Sequence, residues 1–306
     1  MLVAVTGASG MLGGHIVEHL VQHGHSVRGL TRRVGGRDLR ADGVDWVEGG
    51  LDDRAALDRL VAGTDAIVHA AYSPIEAPPP EGRSAAEQLI QTNLGGTVRL
   101  IERTPSTRLG QLVYVSSLAV YGTASHLEPA AQRVPIDEDY PVWPGEFYGG
   151  HKAALERLVI AGAGQLGLNT AAFRIGCVFG HYPDLARDHL ATVAREAVEF
   201  GEIRTRVGAY AITAGDAAAL LCGAVGDADA RGRVFNTFDR WIDFSSAAEP
   251  LSRILGREIR VACEPAPEPQ PPIRNDRIRA RMPAWSTEAA LEPLLAELVA
   301  RIRSGE

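Results

Sequence analysis

Cysteine is scarce: the 306-residue chain holds three, Cys177, Cys222 and Cys263. An odd number of thiols so widely spaced makes neither a disulfide framework nor a zinc site, and they read as reduced thiols. Basic charge is short as well. The net charge is −7 and no run of Lys/Arg is interleaved with aromatics, so nucleic acid is not expected as a partner. No apolar stretch nears the roughly 18 residues that would cross a bilayer. Met1 leads straight into an apolar strand, without a basic leader or cleavage site, so the expectation is a cytoplasmic protein with no membrane partner. What is present, 45% hydrophobic and 23% charged residues, suits a soluble globular protein of one large or two smaller domains.

The chain opens with the buried-strand pattern Leu2-Val3-Ala4-Val5, followed at once by Thr6-Gly7-Ala8-Ser9-Gly10-Met11-Leu12-Gly13. A helical pattern with Ile16, Val17, Leu20 and Val21 apolar comes next and ends at Gly24. Strand, glycine turn and helix in that order are the context of a dinucleotide fingerprint. Glycines let the backbone turn tightly and approach a pyrophosphate, and the helix N-terminus offers free N–H groups. Thr6, Gly7, Gly10, Met11, Leu12 and Gly13 are therefore candidate cofactor contacts. On the same helix His15-Ile16-Val17-Glu18-His19 matches an H-x-x-E-H zinc pattern. It begins two residues past Gly13, where the helix should cover phosphate, so it reads as a solvated face and no metal is expected.

The second strand, residues 26–30, ends in Thr31-Arg32-Arg33. A fold selecting NAD places an acid there for the ribose 2′-hydroxyl, whereas an arginine accommodates a 2′-phosphate. These three residues favour NADP(H) and leave NAD(H) possible; a basic surface loop is the bland alternative. Further strands are read at 44–47, 65–71, 111–115 and 170–175, with helices at 53–61, 87–103 and around Tyr148, and a proline-bearing loop over 72–84. Leu51 follows the third strand, and small Ala70 and Ala71 close the fourth, where a ligand can lie close. His69 reads as structural. Six strands alternating with helices predict an α/β, doubly wound parallel sheet with ligands at the strands' carboxyl ends. Beyond Ile175 the alternation weakens. Helices are read at 184–200 and 289–303, a segment of unassigned type at 210–225, a returning strand at 233–238 and an extended proline-rich stretch at 264–272.

Tyr148-Gly149-Gly150-His151-Lys152 organises the rest. Residues four apart share one helix face, which sets the Tyr148 phenol beside the Lys152 ammonium. A phenol ordinarily titrates near pH 10, and an adjacent cation lowers that value. A tyrosine tuned in this way can protonate a nascent alkoxide or deprotonate an alcohol. Alone, Y-x-x-x-K is a weak pattern, equally met by a solvated helical pair.

Together these stretches resemble the extended short-chain dehydrogenases/reductases, also called the NAD-dependent epimerase/dehydratase family. The resemblance rests on T-G-A-S-G-M-L-G at 6–13, D-A-I-V-H-A-A at 65–71, N-L-G-G-T at 93–97, V-Y-V-S-S-L-A-V-Y-G at 113–122, Y-G-G-H-K at 148–152 and F-R-I-G-C-V-F-G at 173–180. It implies a Rossmann domain over 1–175 and a mainly substrate-binding lobe over 176–306, with the strand near 233–238 returning to the sheet. Carried over by position, Tyr148 is the catalytic acid/base, Lys152 binds the nicotinamide ribose and depresses the tyrosine pKa, and Ser117 hydrogen-bonds the reacting oxygen. Ser116 is the runner-up for the serine role. Asn93 resembles the family's structural asparagine and joins Tyr148 and Lys152 in the candidate cofactor shell. A homodimer through the helices at 87–103 and 148–162 is implied by the resemblance only.

Departures from the family narrow the expected function. Its sugar dehydratases carry an Asp-Glu pair where this chain has Leu118 and Ala119. Its nucleotide-sugar epimerases commonly carry Asn at the position of Cys177 and Arg at that of Ala209, seven residues before Asp216. The acid that meets adenine is Gly50 here; Asp52 or Asp53 could substitute, and either could equally be the N-cap of the next helix. The expectation is an NADP(H)-dependent oxidoreductase acting on a small, non-nucleotide carbonyl or alcohol through Ser117, Tyr148 and Lys152. The alternatives are an NAD(P)-dependent sugar epimerase and a non-catalytic NADP sensor; the latter typically loses Tyr or Lys.

Overall fold

The computed structural model of the chain describes residues 1–33, 43–74, 84–104, 111–122, 135–180, 182, 185, 188–269, 271–281 and 287–305. Much of the loop expected at 72–84, and the start of the helix expected at 184, lie outside them.

The apolar runs form strands β1 (Leu2–Thr6), β2 (Ser26–Thr31), β3 (Asp45–Glu48), β4 (Ala66–His69), β5 (Gln111–Ser117) and β6 (Asn169–Ile175). Val3, Val5, Val68 and Val113 are fully buried, as expected of a parallel sheet covered on both faces. Helices α1 (Met11–Gln22), α2 (Arg54–Val61), α3 (Ala85–Leu89), α4 (Gly95–Arg103) and α5 (Phe147–Gln165) connect the strands. After Ile175 follow β7 (Cys177–Phe179), α6 (His189–Phe200), β8 (Glu202–Ile203), β9 (Gly208–Thr213), α7 (Ala214–Gly223), β10 (Arg233–Thr237), β11 (Arg240–Asp243), α8 (Ala248–Leu255), β12 (Arg260–Val261), α9 (Asp276–Arg281) and α10 (Thr287–Ser304).

The main sheet has seven strands in the order β10-β6-β5-β4-β1-β2-β3, and each pairing is parallel. The strand order reverses at β1, which places a crevice beyond the carboxyl ends of β1 and β4. On one face Ile16, Val17 and Leu20 of α1 join Ala217 and Leu221 of α7 in the core. On the other, Leu57, Leu100, Leu155 and Val159 bring α2, α4 and α5 together. A separate core gathers Leu190, Val193, Phe244, Leu251 and Leu295 under the lobe.

Two details differ from the sequence expectation. The segment at 210–225 divides into β9 and α7, and Thr213 caps α7 by accepting from the Asp216 N–H. The helix expected at 87–103 is interrupted by a π turn, Ile90–Leu94, between α3 and α4. Strand β10, within the stretch read as a returning strand at 233–238, is the seventh strand of the sheet. Among the described residues no helix is long and apolar enough to cross a membrane.

Candidate functional site

Strand β5 and helix α5 converge beside the crevice. Ser117 ends β5 and Tyr148 sits in the first turn of α5. Gly149 lets them meet: a Cβ there would lie 2.3 Å from the Ala119 carbonyl oxygen, so the helix closes directly onto the turn after β5. Successive strand residues point to opposite faces. The Ser116 hydroxyl accordingly donates to Glu156 (2.8 Å), while the Ser117 hydroxyl lies beside the Tyr148 phenol and draws its pKa down. Burial acts more strongly, and the phenol stands above its ordinary value. The expectation that Lys152 would depress it is not met in this arrangement. The ammonium instead donates to the Val115 carbonyl oxygen at 2.8 Å and lies 5.9 Å from the Tyr148 ring centroid.

Lys152 is the only lysine in the chain and is 3% exposed. Burial lowers its pKa to about 7. Two further rings face it, Tyr72 at 5.3 Å and Tyr114 at 5.2 Å from the ammonium to the centroids. Each is within cation–π range. Tyr72 also meets Tyr148 edge-on, with centroids 5.1 Å apart. Nothing in the sequence around Tyr72 marks its contact with Lys152 and Tyr148.

A buried ion pair holds α5 against the sheet. Arg174 of β6 grips Glu156 with both arms, Nε to Oε2 at 2.9 Å and NH2 to Oε1 at 2.7 Å, and both side chains are 1% exposed. Arg174 also donates to the Tyr121 hydroxyl, whose own proton is shared between the Asp137 carbonyl oxygen and Asn236 Oδ1. The sequence carried a signal for this: Tyr148, Lys152 and Glu156 form one stripe at a spacing of four.

The glycine turn fits a dinucleotide's pyrophosphate. Gly7 has φ of 69°, and a Cβ there would stand 2.8 Å from the Ala71 nitrogen; one on Gly13 would stand 1.9 Å from the Gly7 oxygen. Helix α1 starts at Met11 and Leu12 with no side-chain cap at Gly10, so its first N–H groups have no side-chain acceptor at that cap. Thr6 donates or accepts at His69 Nδ1 (2.6 Å) and also accepts from the Ala71 N–H (3.2 Å), which ties the turn to Ala70 and Ala71. His69 is structural, as expected. Its Nε2 meets Thr97 at 2.8 Å, and burial, then Lys152, pushes its pKa down to about 3.

Asn93 is 1% exposed, and its amide bonds the Ser73 N–H, the Ser73 carbonyl and the Leu89 carbonyl. It therefore positions the loop after β4. Leu51 turns its side chain into the core under Gly96. Thr31 is buried and bonds Ser9 and the Arg33 backbone, while Arg32 and Arg33 are exposed at the end of β2. Asp53 is spent as the cap of α2, accepting from the Ala56 N–H at 3.0 Å. Asp52 instead fills the space over Gly50, its Oδ1 lying 2.5 Å from where a Cβ would stand. Along α1, Glu18 accepts from Gln22, and the His19 ring stacks on His23. Among the described residues no group of three or more His, Cys, Asp or Glu is arranged to hold a metal ion.

Ser117 and Tyr148 open on a cavity of about 660 Å³ between the sheet and the lobe. Its walls include Tyr121, Tyr182, Tyr210, Trp241, Cys177 and Ala209, and among the described residues no arginine or lysine lines it. Arg204 pairs with Glu202 and lies over Phe200, and Arg206 donates to the Pro265 carbonyl oxygen, so both are engaged away from the cavity.

The sequence profile of the NAD dependent epimerase/dehydratase family matches residues 3–212. A UDP-glucose 4-epimerase from Lacticaseibacillus casei is 30% identical over 195 residues, 62% of this chain and 56% of that protein. A 2-alkyl-3-oxoalkanoate reductase from Stenotrophomonas maltophilia (strain K279a) is 31% identical over 203 residues, 64% of this chain and 56% of that protein. The matched stretch thus spans about half the length of these curated relatives. A UDP-glucose 4-epimerase from Thermus thermophilus, solved in complex with NAD, has the same fold, with a TM-score of 0.74 at 22% identity over 100% of both chains. With the family profile covering the glycine turn, both serines, Tyr148 and Lys152, this chain belongs to the NAD-dependent epimerase/dehydratase family.

Proposed function

We propose that the protein is an NADP(H)-dependent oxidoreductase acting on a small, non-nucleotide carbonyl or alcohol. The observation that carries this is the meeting of Ser117 and Tyr148 at the mouth of a cavity whose described walls hold no arginine or lysine. Residues 1–175 hold the dinucleotide, and residues 176–306 supply most of the substrate pocket while returning β10 to the sheet. When bound, the nicotinamide supplies or accepts the hydride. Ser117 orients the reacting oxygen, and Tyr148 transfers the proton. A phenol raised by burial keeps its proton at neutral pH, which suits a donor in the reductive direction. Lys152 holds the nicotinamide ribose. Cys177 and Ala209 stand where nucleotide-sugar enzymes of the family place an amide and a guanidinium. A thiol pushed up to about 12 and a methyl group do not offset the desolvation of a diphosphate.

The cofactor preference rests on Arg32 and Arg33. Both are exposed beyond β2, and Thr31 links that turn to Ser9 of the glycine loop. A guanidinium meets a phosphate with a planar fork. Hydrogen bonds to charged groups contribute roughly 1.5–3 kcal/mol, one to two decades of affinity. Fluorescence titration should therefore show NADPH binding about 10–100 times more tightly than NADH. Equal affinities would reduce the arginines to a solvated loop.

An epimerase would use the same groups, and the likeness to UDP-glucose 4-epimerases favours that second reading. Net cofactor turnover separates the two. A reductase consumes nicotinamide absorbance in proportion to the carbonyl supplied. An epimerase leaves it unchanged while interconverting a sugar nucleotide.

A further inference from the structure

The cavity walls are mostly carbon, and the polar atoms of their large aromatic side chains other than Tyr148 are already engaged. The Tyr210 hydroxyl accepts from the Ile273 N–H at 2.9 Å, the Trp241 indole donates to the Ala266 carbonyl oxygen at 3.2 Å, and the Tyr182 hydroxyl donates to the Val178 carbonyl oxygen at 3.3 Å. Tyr121 is committed to Asp137 and Asn236. Cys177 is a neutral thiol and a weak donor. Besides Ser117 and Tyr148, Cys177 and His189 are the ionisable side chains on the wall without such a commitment to the protein among the described residues.

The wall is also built to stay in place. Tyr210 of β9 and Trp241 of β11 are directly opposed in an antiparallel pair, with ring centroids 5.2 Å apart, and Phe238 packs on Tyr210 at 4.6 Å. A proline-rich strap completes it. The strap is tethered by Arg206 to Pro265, by Trp241 to Ala266, by Tyr210 to Ile273, and by the Ile136–Ile273 bridge. Pro269 and Pro271 of the strap line the cavity and bring no N–H donor to it.

We propose that the substrate is an apolar ketone, an alkyl or aryl body carrying one reducible carbonyl, and that the Tyr210–Trp241–strap wall selects it. This rests on the oxidoreductase reading. The carbonyl carbon gains the hydride from the reduced nicotinamide, and its oxygen gains the Tyr148 proton. The products are a secondary alcohol and the oxidised dinucleotide. A polyhydroxylated substrate would lose water at each hydroxyl without gaining a partner from this wall, at about tenfold or more apiece. Each methylene buried against it should instead raise kcat/KM about fourfold.

The test is a homologous series of 2-alkanones from 2-butanone to 2-decanone with NADPH, with dihydroxyacetone and UDP-glucose as polar probes. The inference expects kcat/KM to climb about fourfold per methylene and then level off, with both polar probes far below the longer ketones. A flat series, or preference for the polyhydroxylated ketone, overturns it. Ala209→Leu, which fills part of the cavity, should move the best chain length downward, and Trp241→Ala should flatten the climb. An Ala209→Leu profile identical to wild type overturns the assignment of this wall, even where Trp241→Ala fails to fold. If no carbonyl compound consumes NADPH, the oxidoreductase reading falls by itself. Thermal shifts with the matching 2-alkanols then judge the wall alone: a shift that grows with chain length supports it, and none overturns it.

Discussion

Replacing Tyr72 tests how a buried lysine keeps its charge. The Lys152 ammonium has one carbonyl acceptor at 2.8 Å and three tyrosine rings, with centroids 5.2, 5.3 and 5.9 Å away. Burial alone brings its pKa down to about 7. A ring facing a desolvated cation contributes about 0.5–2 kcal/mol. Dividing by about 1.36 kcal/mol per pKa unit gives roughly 0.4–1.5 units. Tyr72→Leu keeps the site apolar and removes the ring, so the midpoint should fall by that amount. Tyr72→Phe keeps the ring and should leave it in place. The neighbouring His69, held down to about 3 by burial and then Lys152, stays neutral through the lysine midpoint, and the same two causes lower His151. Because Lys152 is the only lysine, ¹³Cε-lysine NMR yields a single side-chain signal whose titration belongs to it alone. If Tyr72→Leu and Tyr72→Phe titrate together at the wild-type midpoint, the ring has no hold on the charge.

Glu156→Gln should destabilise the fold by about 3–5 kcal/mol in urea unfolding, since it strands the buried Arg174 guanidinium, and Glu156→Met with Arg174→Met should recover much of that. A loss below about 1 kcal/mol would remove the pair from the account. His69 binds its proton with a pKa of about 3 folded against about 6.5 unfolded, so the unfolded chain holds more protons between those values and stability falls as pH drops through that window. Between about pH 6.5 and 4.5 the wild type should lose about 2.5 kcal/mol more than His69→Asn does; parallel pH profiles would mean that His69 titrates normally.

The parts of the fold legible in the sequence are those where one residue type answers one local demand. The glycine turn announced itself because Gly7 and Gly13 must admit a neighbouring backbone at distances no Cβ allows. The parallel strands showed because both of their faces are buried, leaving continuous apolar runs. The Tyr148–Lys152 stripe was readable from helical spacing. What stayed hidden depends on contacts between distant segments. The π turn at Ile90–Leu94 has no local composition to mark it, although it carries Asn93. The pull of burial on Tyr148 outweighs its neighbours only once the crevice closes around it. Tyr72 reaches Lys152, and the proline strap reaches Tyr210 and Trp241, only through tertiary folding. Asp52 and Asp53 could not be told apart by sequence, since both precede α2; the cap geometry assigns Asp53 to the helix and leaves Asp52 over Gly50.

The proposed mechanism assigns proton transfer to Tyr148 and dinucleotide binding to the rest of the crevice. Comparing Tyr148→Phe with wild type in two readouts tests it most directly: NADPH affinity by fluorescence titration, and turnover of an apolar ketone by loss of nicotinamide absorbance. The expected result is NADPH binding within a few fold of wild type and a turnover rate lower by about 10² to 10⁴. Turnover within a few fold of wild type would remove Tyr148 from the chemistry and contradict the account.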